Sequence, residues 1–405
     1  MTIIYALIYA TRKIMEARHV PFETVKLSLA SLVLLALAIA WRPAFTSAAE
    51  SPAGKGKQVL SELVAKAKQE SGLDIAIPSS SANAVPNLIR AFEKRFGLKV
   101  KHTADTAGAD EVKFAKVQTA LRVGAPSPLD AVQGAGVDNL ALITAGFATK
   151  IDNWQLLLAE IHSSVGSAKI TPSEISPEPF AGYSFMWADR SKALLYNTRL
   201  ISENELPRTW ADLANSKYKD KFPVAPFFDE WESGILVYPK ADWLKIVDNV
   251  GKNAAAVLTY SASLDRILVG EFLFGPSNAY YLSNIKARDS KAPLGLRRFA
   301  DYTPLSTLFY VVPKSAKNPA TATLFVLWMT TPEAQAIRQP VDFYSNIVFG
   351  QSDLDKQARK ALKDSGTRKV TWFDNPKTQS ELAWFSTDEG KAYRANLAKA
   401  LTQRK

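Results

Sequence analysis

The chain has 405 residues, 50 Lys and Arg against 39 Asp and Glu for a formal net charge of +11, 47% hydrophobic residues and no cysteine. The lack of thiols excludes disulfides, thiolate metal sites and a cysteine nucleophile, and the length exceeds what one hydrophobic core usually serves, so two lobes are expected. The basic excess is dispersed and forms no dense Lys/Arg tract, so nucleic acid is not an expected partner.

The first feature in chain order is the uncharged run Leu27–Trp41. Arg18 and Lys26 precede it and the small residues Thr46–Ala49 follow, the order of a secretory signal peptide cleaved beside Ala49. The run falls short of the about 20 apolar residues of a spanning helix, and Arg42-Pro43 close it, so an uncleaved anchor fits less well. Residues 1–49 are therefore expected to be removed, with Met15 the preferred start and the periplasm the destination. Their removal leaves a charge of +8, which would favour an anionic or anion-capped ligand.

Ser51 to Lys57 reads as a small-residue linker, followed by a helix with Leu60, Leu63, Val64 and Ala67 on one face and Gly72 as its stop. Leu73–Pro78 predicts a strand and Ser79-Ser80-Ser81 a polar turn. Val85, Leu88, Ile89, Phe92 and Phe96 then predict a helix with Pro86 in its first turn and Gly97 past its end, and Leu98–His102 predicts a second strand. Strand, helix and strand in this order imply a right-handed parallel unit with a ligand edge at the strand C-termini.

The alternation continues with a helix over Val112–Leu121, a strand over Leu129–Gln133, a turn at Gly134-Ala135-Gly136 and a helix through Leu140 and Ile143 to Gly146. Tyr183–Asn197 reads as an aromatic strand crossing between lobes. A second α/β region follows, with Trp210–Leu213, a strand at Phe222–Ala225, a helix over Trp243–Val250, a turn at Tyr260–Ser263 and a strand near Phe272. Thr307–Val312 predicts the returning strand, Asn318-Pro319 a capped helix start and Thr331-Pro332-Glu333 another.

Four stretches stand in a telling order: LIRAFEKRFGLKVKH (Leu88–His102), LDAVQGAGVDNLALITAGF (Leu129–Phe147), ALLYNTRLISENELPRTWADLANSKYKDKF (Ala193–Phe222) and VVPKSAKNPATATLFVLWMTTPEAQ (Val311–Gln335). Together they resemble the family-1 extracellular solute-binding proteins of bacterial ABC transporters, the type 2 periplasmic binding proteins, and in particular their ferric-ion-binding branch. The resemblance implies an α/β, two-lobed fold with crossover strands and a ligand cleft between the lobes. Lobe 1 would comprise residues 50–195 and 306–340, lobe 2 residues 196–305, and residues 341–405 would form helices bracing them. It also implies a monomer that hands a small solute to an inner-membrane permease.

In the ferric-ion branch adjacent tyrosines on the second lobe ligate iron, and Tyr280-Tyr281 in GPSNAYYLSNIKAR match them. Ferric iron favours anionic oxygen and deprotonates a phenol on binding. Ser277-Asn278 are expected to cap the helix that presents the pair. Relatives add a histidine after the first strand and a glutamate after the third, whereas this chain has Ser79-Ser80-Ser81 and Gln133-Gly134-Ala135-Gly136. Iron would then need an anion or water to complete its shell, or the ligand is another solute.

The hydroxyls of Ser79, Ser80, Ser81, Ser261 and Ser263 suit an anion at helix starts, or serve there as caps. Gln133, Gly134 and Trp187 complete the candidate ligand set; Tyr183 and Arg190 stand beside Trp187 in the crossover, where packing is the competing role. Asp229-Glu230 follow a second-lobe strand and would face a cation or solvent.

Enzyme readings lack parts, with only His102 and His162 beyond the leader and no GxSxG, HExxH or phosphate loop. Adjacent carboxylates such as Asp229 and Glu230 also make a poor acid–base pair. The expectation is a binding protein with no cofactor, ferric iron being its leading cargo. An organic or phosphorylated anion, a polyamine, a sensor-associated module and an exported enzyme on the same fold are the alternatives.

Overall fold

The computed structural model describes residues 52–108, 110–167, 170–225 and 229–402. The expected signal segment lies outside these residues, as do the side chains of Asp229 and Glu230.

Helix α1 (Pro52–Ala67) leads into β1 (Gly72–Ala76), a 3-10 turn (Ser79–Ala84), α2 (Val85–Phe96) and β2 (Lys101–Asp105). Residues 52–57 of the stretch read as a linker are thus the opening of α1, stabilised because Val59, Leu60, Leu63 and Val64 pack onto the core. α2 follows its sequence spacing, with Val85, Leu88, Ile89, Phe92 and Phe96 all buried and Gly97 closing it. β1 and β2 pair in parallel from Gly72↔Lys101 to Ala76↔Asp105. The second strand starts three residues later than its apolar pattern suggests. Lys101 to Thr103 are exposed and carry no alternation, while buried Leu98 belongs to the helix–core contact.

Next come α3 (Asp110–Arg122), β3 (Val132–Ala135), α4 (Gly136–Thr144), α5 (Trp154–Ser164), α6 (Pro172–Ile175) and β4 (Ser184–Asn197). They are followed by β5 (Pro223–Val224), α7 (Asp229–Glu232), α8 (Lys240–Asn253), β6 (Ala256–Val257), α9 (Tyr260–Leu268), β7 (Phe274–Asn278), α10 (Tyr280–Arg288), β8 (Leu294–Arg297) and β9 (Thr303–Val311). The chain ends with α11 (Pro319–Trp328), α12 (Pro332–Asp342), α13 (Asp353–Asp364), β10 (Lys369–Val370), α14 (Pro376–Trp384) and α15 (Asp388–Thr402).

β4 and β9 form the antiparallel spine of the molecule. Ser184–Ser191 of β4 pair with Leu305–Val311 of β9; Leu308–Val311 also pair with β3 on the opposite edge, and Thr303–Pro304 pair with β10. The other end of β4, Lys192–Asn197, instead pairs with β7 and β8. Each crossover strand therefore belongs to two neighbourhoods, which is what lets two lobes share one sheet. A core around Leu73, Phe92, Trp187, Phe325 and Trp328 lies on one side; a second, around Trp210, Trp231, Trp243 and Phe274, lies on the other.

Two local expectations change. Tyr260–Ser263 is the opening of α9, whose cap is the Thr259 side chain accepting from the Ala262 amide. Asn318 does not cap α11: its amide donates to Asp130 at 2.8 Å and accepts the Gly72 amide at 3.1 Å, tying β1 to the helix instead.

His162 is buried on α5 with both ring nitrogens engaged, by Ser167 Oγ at 3.2 Å and Thr330 Oγ1 at 2.9 Å. Burial lowers its pKa from 6.5 to about 4. The unfolded chain thus takes up the proton first, and the contribution of His162 to stability, complete above pH 6.5, declines as the pH falls toward 4. The destabilisation caused by His162→Gln, followed by urea unfolding, is accordingly expected to shrink by about 3 kcal/mol between pH 7 and pH 4. The difference between the two proteins isolates His162 from Asp189, whose pKa burial raises to about 6 and which acts in the opposite sense.

Candidate functional site

A cavity of about 460 Å³ opens where several strands end. Ser79 and Ser80 reach it from the turn after β1, Ala135 and Asp138 from the β3–α4 junction, and Arg190 from β4. Thr259–Ser261 reach it from the start of α9, Asn278, Tyr280 and Tyr281 from the β7–α10 junction, and Tyr344 from the segment after α12. Loops at strand C-termini meeting in one crevice are the usual setting for a ligand in an open α/β sheet.

Tyr280 and Tyr281 open α10 side by side with ring centroids 4.3 Å apart and stacked, their hydroxyls joined by a hydrogen bond. The expected cap is not made. Ser277 and Asn278 remain in β7, paired with Ala193 and Lys192, and Ala279 takes the cap position without a side-chain bond. Burial, above all, holds both phenols above their ordinary pKa, Tyr280 well above it, and nearby Tyr344 adds to the shift. They therefore stay neutral near pH 7.

Sequence reasoning did not foresee Arg394 or the carboxylates Asp110, Glu111, Asp138 and Glu232 of the lining, and the central residue it missed is Tyr344. Its ring meets Tyr280 edge-on at 4.7 Å, its hydroxyl lies 2.6 Å from Ser80 Oγ, and the Arg190 guanidinium stands 5.7 Å from its ring centroid. No local pattern marks it, because it is brought to the site by a buried ion pair. Arg338 and Asp342, both fully buried, lie 3.2 Å apart. Asp342 accepts the Tyr344 amide at 2.8 Å and the Ser81 hydroxyl at 2.8 Å, while Arg338 donates to the Tyr344 carbonyl at 3.3 Å and the Trp187 carbonyl at 3.0 Å. Phe343 takes the left-handed conformation, φ 59°, to turn the chain between them.

That network relocates several sequence candidates. Ser81 faces Asp342 rather than the cavity. Trp187 sits at a β-bulge and is fully buried against Tyr310 and Tyr344, with Arg338 over its ring at 4.7 Å. Gln133 is buried behind the cavity and donates to Asp110. Gly134 is needed for packing, since a Cβ there would meet the Phe114 ring at 2.4 Å. Ser263 is buried because two steps of about 100° along a helix carry it to the face opposite Ser261. Tyr183 packs under Lys150 and against the cluster of Phe114, Leu142 and Val311, and does not line the cavity. Ser79, Ser80, Ser261, Tyr280, Tyr281 and Arg190 do line it.

Asp110, Glu111, Asp138 and Glu232 give the cavity a carboxylate wall. Among the described residues, however, no three His, Asp or Glu side chains are grouped to hold a metal ion. Beside that wall, the phenol rings of Tyr280, Tyr281 and Tyr344 meet in the cavity.

The profile of the bacterial extracellular solute-binding protein family matches residues 87–346. No curated protein matches the sequence. The structure is similar to iron-bound HitA from Pseudomonas aeruginosa, with TM-score 0.64 and 20% identity over 81% of this chain and 99% of the other. It is similar to the ferric binding protein from Campylobacter jejuni, with TM-score 0.61 and 18% identity over 80% and 99%. The substrate-binding protein of an ABC transporter from Agrobacterium tumefaciens gives TM-score 0.61 and 14% identity over 83% and 97%. At these identities the likeness establishes the two-lobed type 2 binding fold, the one expected from the sequence.

Proposed function

Because the chain belongs to the bacterial extracellular solute-binding protein family, we propose that it captures ferric iron in the periplasm, as a monomer, and delivers it to the permease of an ABC importer. The observation that carries this reading is the convergence of three phenols, Tyr280, Tyr281 and Tyr344, in one cavity. Phenolate oxygens are hard anionic donors, the kind a small trivalent cation selects. With the histidine and glutamate of other relatives absent, Ser79, Ser80, Ser261 and Arg190 would hold an anion or water that fills the remaining coordination positions. The ferric ligands named for HitA and the Campylobacter protein agree with this reading.

A second reading is an anionic solute without iron, favoured by the N-terminus of α9 opening on the cavity with Thr259 and Ser261. Titration of the metal-free protein with ferric citrate separates the two. A visible phenolate-to-iron charge-transfer band saturating at one iron per chain is expected. A colourless protein whose melting temperature rises instead with a phosphorylated sugar, an organic anion or a polyamine would replace iron by that solute.

A further inference from the structure

The ligand cavity of about 460 Å³ is not the only space bordering Arg394. A second cavity of about 800 Å³ opens between α3, α4 and α15, and the two share the lining residues Glu111, Val137 and Arg394. Arg394 thus stands in the wall between the ligand and an outer space.

The side chain is held from both flanks. Its Nε lies 2.5 Å from Glu232 Oε1 on α7, and its Nη2 lies 3.7 Å from Asp138 Oδ1 in the first turn of α4. Glu232 is 1% exposed and Asp138 9%, so both carboxylates have left water and need a compensating cation. Burial pushes the Asp138 carboxyl well up, with Arg394 the group that opposes this, and the two acids in turn raise the pKa of Arg394 against its own burial.

The helix behind Arg394 is anchored elsewhere. α15 lies on α8 so closely that a Cβ at Gly251 would come within 2.0 Å of the Ala400 carbonyl oxygen, and Tyr393 Oη donates to the Lys240 carbonyl at 2.8 Å. α4 is secured from its own strand, the Asn139 amide donating to Gly134 O at 3.0 Å and Ala135 O at 2.9 Å. The reach from Arg394 to Asp138 is therefore a tie between two separately held elements, placed in the wall that the two cavities share.

We propose that Arg394 is a retention residue: tied to Glu232 and Asp138, it closes the ligand cavity against the outer one and slows escape of the bound solute. It is a positioning residue, acting through the wall rather than as a ligand. The iron arm of its test rests on the ferric reading above; the second arm does not.

The protein loaded with ferric citrate is mixed with excess EDTA and the decay of the charge-transfer band is timed. Arg394→Ala is expected to lose iron at least about tenfold faster, the effect falling on the off-rate. Asp138→Asn should also quicken release, and Arg394→Lys should restore part of the delay. Lys391→Ala, which alters the outer cavity alone, should match wild type. Release from Arg394→Ala within twofold of wild type would overturn the proposal while leaving iron binding intact.

If wild type shows no band, the ferric reading fails and the wall is tested in metal-free protein by hydrogen exchange. Faster exchange at Ala135–Asn139 in Arg394→Ala, absent in Lys391→Ala and reduced in Arg394→Lys, supports it. Unchanged exchange there refutes it.

Discussion

Tyr281→Phe is expected to weaken the charge-transfer band of the iron complex strongly and to weaken ferric binding by well over about 100-fold, beyond what loss of an outer-sphere partner costs. The substitution removes one oxygen and keeps the ring, so the stack on Tyr280, 4.3 Å between centroids, is preserved and the loss reports coordination rather than packing. Tyr280→Phe should behave likewise, and Tyr344→Phe should reduce the band without abolishing it, since the adjacent pair remains. Acid should work in the same direction. Burial raises the pKa of Tyr280 and Tyr281, so each must surrender a proton to iron, and affinity rises with pH and falls as pH drops. Competition against citrate at pH 6, 7 and 8 measures the slope. A pH-independent affinity, or a full band in both Tyr280→Phe and Tyr281→Phe, would remove these tyrosines from the site.

Arg338→Ala carries the second large effect, a loss of about 3–5 kcal/mol in urea unfolding, because it strands the Asp342 carboxylate in the interior. Both partners are fully buried, and Asp342 also anchors Ser81 and the Tyr344 amide. Removing one hydrogen bond, as in Ser81→Ala, should cost only about 1 kcal/mol. Replacing the pair together, Arg338→Met with Asp342→Leu, should recover much of the stability, since no buried charge remains unpaired. That double variant should nonetheless bind iron more weakly than wild type, because Tyr344 has lost what fixes it. A cost below about 1 kcal/mol for Arg338→Ala would show that water reaches the pair.

The elements most legible in the sequence are those whose burial is written into a short period. α2 is the clearest, its five apolar positions all buried and its ends marked by Pro86 and Gly97. β4 and the second half of β9 were legible for a related reason, through the apolar runs Phe185–Ala188, Ala193–Tyr196 and Leu308–Val311 of crossover strands buried on both faces. β2 was misplaced because its first three residues are exposed and show no pattern. The glycines Gly54 and Gly56 concealed only the opening of α1, which tertiary packing of the helix's apolar face stabilises.

The site divides along the same line. The adjacency of Tyr280 and Tyr281, the serines after the first strand and the lack of cysteine were determined by the sequence alone, because covalent neighbours stay neighbours in any fold. Which serine faces the cavity was decided by the turn: Ser80 meets Tyr344, while Ser81 is claimed by Asp342, 261 residues away. Trp187 went to the core because the bulge in β4 sets it against Tyr310 and Arg338. Tyr344 and Arg394 were invisible because their partners, Ser80 and Tyr280 for the one and Asp138 and Glu232 for the other, lie far along the chain and meet them only in the packed structure. Local period records which residues avoid water; only the packed structure records which of the remaining ones meet.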